Sequence, residues 1–117
     1  MKKVLIIIIC IITVIACSKD TGGGGGGGGG TLNCASVPTS FSANVNPIVQ
    51  AFCNTAGCHD ANSINGPGPI TNYTQVFTNR VAIRAAIASG TMPQSGTLST
   101  AQKNSFLCWI DSGAPNN

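Results

Sequence analysis

The sequence predicts a small, loop-rich all-α domain, and two observations lead to that prediction. No stretch alternates apolar and polar residues as a half-exposed β-strand does. Four stretches instead place apolar side chains at helical spacing, bounded by capping residues or by glycine and proline. The predicted domain spans residues 32–117, because the residues before it have the composition of an export signal and a linker.

The first two predicted helices lie in the first half of this domain. One covers residues 44–52, with Asn44 as its cap and apolar side chains sharing one face. A shorter one covers residues 72–77, with Asn72 as its cap and Gln75 in the capping-box position.

The last two predicted helices have clearer boundaries. Residues 80–89 are apolar on most sides and are followed by Gly90, a typical helix stop. A capping box at Ser99 opens the final helix, which is predicted to end near Asp111. Residues 60–70 are rich in Asn, Gly and Pro and are predicted to form a loop.

Residues 1–16 have the composition of a secretory signal, with two lysines before an apolar run too short for a permanent membrane span. Residues 14–17 read VIAC, which resembles the lipobox of bacterial lipoproteins. That resemblance implies cleavage before Cys17 and acylation of its side chain and new N-terminus, which anchors a protein firmly to a membrane. Residues 18–20 resemble lipoproteins sorted to the outer membrane, on its periplasmic face or at the cell surface. The alternative is an ordinary signal with an incidental cysteine.

Residues 17–31 are predicted to be a tether between the lipid and the domain. They contain nine consecutive glycines, residues 22–30, which have no side chains to bury and form a flexible coil. Removing the two signal lysines from six basic and three acidic residues leaves a net charge of +1. No basic stripe remains, so the composition argues against a nucleic-acid partner.

The cysteines suggest how a domain of this size is stabilised. A domain of this length buries a modest core and commonly depends on disulfides, a metal or a cofactor. Of the six cysteines, Cys10 leaves with the signal and Cys17 takes lipid. Export places the other four in an oxidising compartment, where three disulfide pairings are open to them. These four are Cys34, Cys53, Cys58 and Cys108.

Residues 53–59 read CNTAGCH and contain the only histidine of the chain, His59. Two thiols beside an imidazole resemble the haem-attachment motif of c-type cytochromes. There the cysteines add to the haem vinyl groups and the histidine binds the iron. The familiar spacing is C-x-x-C-H, whereas here four residues separate Cys53 from Cys58. Gly57 gives the backbone freedom that the wider loop requires.

The one methionine of the mature domain, Met92, precedes Pro93 and follows the predicted helix end. This pair resembles the distal Met-Pro of small single-haem cytochromes c. Residues 41–115 also follow the order of such domains, in particular the planctomycete-type group: helix, Cys-Cys-His, loop, helix, Met-Pro, helix. The resemblance implies that iron is bound by His59 and Met92, in a haem c attached covalently to both cysteines of the motif.

The resemblance has three further implications. If Cys53 and Cys58 hold haem, Cys34 and Cys108 remain as a pair that can form a disulfide, the alternative being two buried thiols. The function implied is electron transfer by a membrane-tethered protein working with redox partner proteins. With both axial positions filled, no site is left on the iron for a substrate, so an enzyme is not expected.

Other interpretations stay open from the sequence. One is a haem-free binding or structural domain stapled by two disulfides, Cys53–Cys58 and Cys34–Cys108. Another is a Cys/Cys/His/Met site for copper or zinc. Four further side chains could contact a haem or serve only the helix surface and the core: Arg80 and Arg84, Tyr73 and Trp109.

Overall fold

The computed structural model describes residues 32–117, and these residues fold into four helices joined by loops. Within this range the chain contains no β-strand, which confirms the predicted all-α class. None of these helices is long and apolar enough to cross a membrane. The predicted signal in residues 1–16 and the predicted lipidated tether in residues 17–31 lie outside the described residues.

Helix α1 consists of three consecutive pieces, Phe41–Val45, Asn46–Ile48 and Val49–Cys53. The first and last are wide π-type turns, in which backbone hydrogen bonds span five residues. The predicted cap at Asn44 is wrong, because the chain is already helical from Phe41 onward. Ser40 is the cap, and its hydroxyl accepts a hydrogen bond from the Ala43 N–H. Asn44 accepts one from the Ser40 N–H, so the two side chains close the first turn reciprocally.

Helix α2 covers Tyr73–Thr78 and is capped by Asn72, as predicted. The Asn72 side chain accepts a hydrogen bond of 3.1 Å from the Gln75 N–H. The Gln75 side chain turns to Thr71 instead of completing the capping box, and accepts a hydrogen bond of 2.8 Å from the Thr71 N–H. The predicted box is therefore half formed, and its second bond ties the incoming loop to the helix.

Helices α3, Arg80–Ser89, and α4, Thr100–Asp111, match the predicted boundaries. Gly90 ends α3 in the left-handed conformation, at φ 77°, which favours glycine. The capping box before α4 has both bonds, from the Gln102 N–H to the Ser99 side chain and from the Ser99 N–H to the Gln102 side chain. The end of α3 and the start of α4 depend on hydrogen bonds within one helical turn, which is why the sequence pattern predicts both.

An aromatic cluster forms the centre of the core. The Trp109 ring is fully buried, and the rings of Phe41 and Tyr73 pack around it with centroids 5.4 and 6.4 Å away. Two of these rings also donate hydrogen bonds to the backbone of residues 114–115. The Trp109 indole N–H donates to Pro115 O, and the Tyr73 hydroxyl donates to Ala114 O. Tyr73 and Trp109 therefore serve core packing, which was one of the two interpretations open from the sequence.

A disulfide joins Cys34, in the exposed segment before α1, to the buried Cys108 of α4. It therefore ties the start of the domain to its last helix across a sequence separation of 74 residues. This is the pairing implied by the resemblance to small cytochromes, and the interpretation of two unpaired buried thiols is wrong.

Candidate functional site

A cavity of about 590 Å³ lies among the segment 53–59, the loop after it, α3 and the loop 92–98. Its volume falls within the range of roughly 300–1,000 Å³ that is usual for cofactor and small-molecule sites. Much of its wall is apolar and is provided by Phe52, Ile70, Ile83, Ile87 and Leu98. The four side chains predicted to form a site all line this cavity: Cys53, Cys58, His59 and Met92.

Cys53 is the last residue of the wide final turn of α1. Burial in the cavity wall, and to a lesser extent the neighbouring Cys58, raise the pKa of the Cys53 thiol to about 11. Within residues 32–117 neither Cys53 nor Cys58 has a disulfide partner. The raised pKa keeps the Cys53 side chain in its protonated thiol form at neutral pH in the haem-free protein.

The backbone of residues 53–59 closes on itself. The carbonyl oxygen of Cys53 accepts hydrogen bonds from the Thr55 N–H at 2.9 Å and from the His59 N–H at 3.1 Å. The Cys58 N–H donates to Thr55 O at 2.9 Å, and Gly57 between them has a φ of 79°. The extra residues of the wide C-x-x-x-x-C spacing therefore form a small hydrogen-bonded loop. Its backbone is left-handed at Gly57, the residue predicted to give the loop its backbone freedom.

His59 is buried, with 7% of its surface exposed. Its Nδ1 donates a hydrogen bond of 2.9 Å to the carbonyl oxygen of Gly68. Because a carbonyl can only accept, this bond places the proton of the neutral ring on Nδ1 and leaves Nε2 with a lone pair. Metal-binding histidines are commonly held in this way, through the ring nitrogen that does not face the metal.

Met92 lies in the loop after α3 and is half-buried at the same cavity. Its backbone N–H and that of Thr91 both donate to the carbonyl oxygen of Ala86, at 3.2 and 3.0 Å. The end of α3 thereby sets where the loop begins and brings Met92 to the cavity wall. Within residues 32–117, no three His, Cys, Asp or Glu side chains cluster as a metal-binding group.

The two arginines of α3 have partners away from the cavity. The Arg84 guanidinium donates to both carboxylate oxygens of Asp111, at 2.6 and 2.8 Å, and these bonds lower the pKa of that carboxyl. The Arg80 guanidinium lies 4.1 Å from the Phe77 ring centroid and donates to Phe77 O. Neither is among the described residues that line the cavity, which favours the interpretation of a helix-surface role.

The sequence did not indicate three residues that hold the site together. These are Ser63 and Asn65, which bond to the backbone of the Cys-Cys-His segment, and Gly68, which bonds to the His59 ring. Their composition predicted a loop and nothing more. The available signal was the density of short polar side chains, which commonly bond to nearby backbone but do not specify which backbone.

No protein-family model matches the chain, and no curated protein or solved structure matches it significantly. The resemblance to small c-type cytochromes therefore rests on the motif order in residues 41–115 alone.

Proposed function

We propose that this protein is a membrane-tethered electron-transfer protein that carries one covalently bound c-type haem. The observation that carries the proposal is that His59 lines one cavity together with Met92 and the two cysteines of the motif, and that its ring is bonded through Nδ1 to Gly68. An imidazole with a free Nε2, a thioether and two thiols are the chemical groups that a His/Met c-type haem requires of its protein.

The residues present fit that group chemically. Cys53 and Cys58 would each form a thioether bond, a reaction that needs reduced sulfur, and neither has a disulfide partner in the described part of the chain. His59 and Met92 would bind the iron. A bound haem supplies one-electron redox chemistry. Because His59 and Met92 would both bind the iron, the proposal leaves no site for a substrate and predicts electron transfer without catalysis.

The chain itself would orient the ligands and exclude water. The Nδ1 hydrogen bond to Gly68 fixes the ring tautomer and increases the basicity of Nε2 toward a metal. The apolar side chains of Ile70, Ile83 and Ile87 on the cavity wall keep water away and lower the local dielectric constant, which tunes a redox potential. A thioether ligand such as Met92 raises the potential further.

The proposal places the domain outside the cytoplasm, anchored to the outer membrane by lipid on Cys17 and separated from it by the glycine tether. The disulfide Cys34–Cys108 supports an exported protein, because disulfides persist in oxidising compartments. Redox proteins at or near the same membrane would be the partners. The glycine tether would let the domain turn its cavity toward them.

The test is covalent haem content. The full-length chain is expressed for export together with a c-type haem maturation system, and extracted with acid–acetone after denaturation. A c-type pyridine haemochrome band with the mass of one haem on the chain is the expected result. A known c-type cytochrome matured in the same cells is the control. A colourless chain beside a coloured control overturns the proposal, and a mass two hydrogens lighter at Cys53–Cys58 would favour the haem-free, disulfide-stapled domain.

A further inference from the structure

The loop of residues 60–70 bonds back onto the segment that holds the two cysteines. The Asn65 side-chain amide donates to the carbonyl oxygens of Gly57, at 3.0 Å, and Cys58, at 3.2 Å. The Ser63 hydroxyl also donates to the carbonyl oxygen of Cys58. The Asn65 N–H donates to the Ser63 hydroxyl oxygen at 3.2 Å, so the two side chains act as one unit.

Two of these bonds converge on the peptide group that joins Cys58 to His59, and a third holds the preceding peptide group, between Gly57 and Cys58. A carbonyl oxygen has two lone pairs, and the two donors on the Cys58 oxygen occupy both. Fixing this peptide group fixes the directions in which the side chains of Cys58 and His59 leave the backbone. The same loop then supplies Gly68 O to the His59 ring and the Ile70 N–H to His59 O, so His59 is held at both its backbone and its ring.

The wide spacing explains why such a restraint is useful. Two residues more than C-x-x-C give the segment additional backbone freedom, and ordering each extra residue costs conformational entropy. The internal bonds of the segment run from the N–H groups of Thr55, Cys58 and His59 to carbonyls of its first half, Cys53 O and Thr55 O. Its second half, the carbonyls of Gly57 and Cys58, receives side-chain hydrogen bonds from Ser63 and Asn65.

We propose that Ser63 and Asn65 are positioning residues, which orient Cys58 and His59 toward the cavity by holding the carbonyls of Gly57 and Cys58. This inference deepens the proposed haem function and rests on it for its functional consequence. The hydrogen bonds that make up this restraint lie within the protein chain, so their effect can be measured in the haem-free protein.

The first test uses the haem-free, full-length protein and hydrogen–deuterium exchange measured by mass spectrometry. In the double variant Ser63→Ala/Asn65→Ala, we expect exchange across residues 53–59 to rise at least about fivefold, the usual effect of losing one net hydrogen bond, because the variant removes three bonds to this segment. Exchange across α4 should not change. The control is Asn62→Ala, an exposed loop residue whose side chain makes no hydrogen bond to any described residue. Unchanged exchange across 53–59, or an equal rise across α4, overturns the proposal.

The second test uses protein from the haem-maturation cells. Peptide mapping of the double variant should show fewer chains with a thioether at Cys58 and little change at Cys53, together with a shifted reduction potential. Two single variants with Asn65 intact provide the matched control. Ser63→Thr keeps the hydroxyl, so its thioether content at Cys58 and its reduction potential should be closer to the wild-type values than those of Ser63→Ala. Equal loss at both cysteines, or wild-type attachment and potential, overturns the positioning role.

The two proposals fail in different ways. If the wild-type chain takes no haem while the control cytochrome does, the proposed function fails, and the exchange experiment still decides whether Ser63 and Asn65 hold the segment. If the wild type takes haem and the double variant behaves like it in both tests, the positioning role fails and the haem proposal stands.

Discussion

Nδ1 of His59 lies 2.9 Å from the carbonyl oxygen of Gly68 and donates a hydrogen bond to it. The bond leaves the lone pair of Nε2 as the only acceptor on the ring. His59 is buried and lines the cavity, so the loop that carries Gly68 determines how the ring is oriented there. This single contact links the path of the 60–70 loop to the chemistry proposed for the site.

Replacing Met92 tests the proposal that its thioether would be the second ligand of a haem iron. In the haem-loaded protein, Met92→Ala should abolish the low-spin spectrum and lower the reduction potential by on the order of 0.1 V, since axial ligands span a range of about 0.8 V. Optical spectroscopy and potentiometric titration measure both. Thr97→Ala, at an exposed position of the same loop that does not line the cavity, is the control and should leave both unchanged. An unchanged spectrum in Met92→Ala would refute the assignment.

Breaking the disulfide should lower the free energy of unfolding substantially. Cys34→Ala is the cleanest change, because Cys34 is exposed and the buried Cys108 keeps its packing. The bond closes a loop with a sequence separation of 74 residues, for which chain entropy predicts a loss of roughly 4 kcal/mol. Urea denaturation of the haem-free protein measures it, with Ala35→Ser as the control. A loss below about 1 kcal/mol would contradict this reasoning, since the bond would then restrain little.

The Cys53 thiol should resist deprotonation in the folded, haem-free protein. Its pKa is raised from 9.0 to about 11, by burial first and by Cys58 second. The folded state therefore holds this proton more tightly, and the contribution to stability is complete below pH 9 and is lost as the pH rises through 11. Between pH 9 and pH 11, the free energy of unfolding should therefore fall by up to about 1.4 kcal/mol per pH unit.

Alkylation by iodoacetamide, mapped to Cys53 by mass spectrometry, checks this directly. The rate constant in the folded protein should keep rising with pH beyond 9, while the rate in concentrated urea levels off there, because only the thiolate reacts. A folded rate that levels off near pH 9 would contradict the raised pKa.

The ion pair between Arg84 and Asp111 should make a small, acid-sensitive contribution. Both side chains are partly exposed, at 42% and 37%, so we expect a coupling energy below about 1 kcal/mol. Because the hydrogen bonds from Arg84 lower the pKa of Asp111, the contribution is present above the unfolded pKa and disappears as the pH falls through the lowered value. A double-mutant cycle with Arg84→Met and Asp111→Asn, followed by urea denaturation at pH 7 and pH 2, measures it. A coupling that persists undiminished at pH 2 would contradict this account.

Features that depend on a few consecutive residues were predictable from the sequence. The end of α3 at Gly90 and the capping box at Ser99 are set by hydrogen bonds within one helical turn, and the structure has both as predicted. The start of α1 shows where local pattern fails. Asn44 and Ser40 are both good caps, and the choice of Ser40 depends on bonds from Phe41 and Ser42 to Asn117 at the far end of the chain.

The four candidate site residues were chosen from residue type and order along the chain, and their role as a site stays a prediction. What the sequence by itself determined was the helical class and the boundaries of α3 and α4, whereas Cys53, Cys58, His59 and Met92 stay a predicted set of site residues. Only the tertiary structure decided that these four share one cavity, that Gly68 bonds to the His59 ring, and that Ser63 and Asn65 bond to the segment before it. The physical reason is the range of the interactions: helix caps bond within about four residues, whereas a cavity and its supporting bonds exist only after loops have returned distant residues to one place.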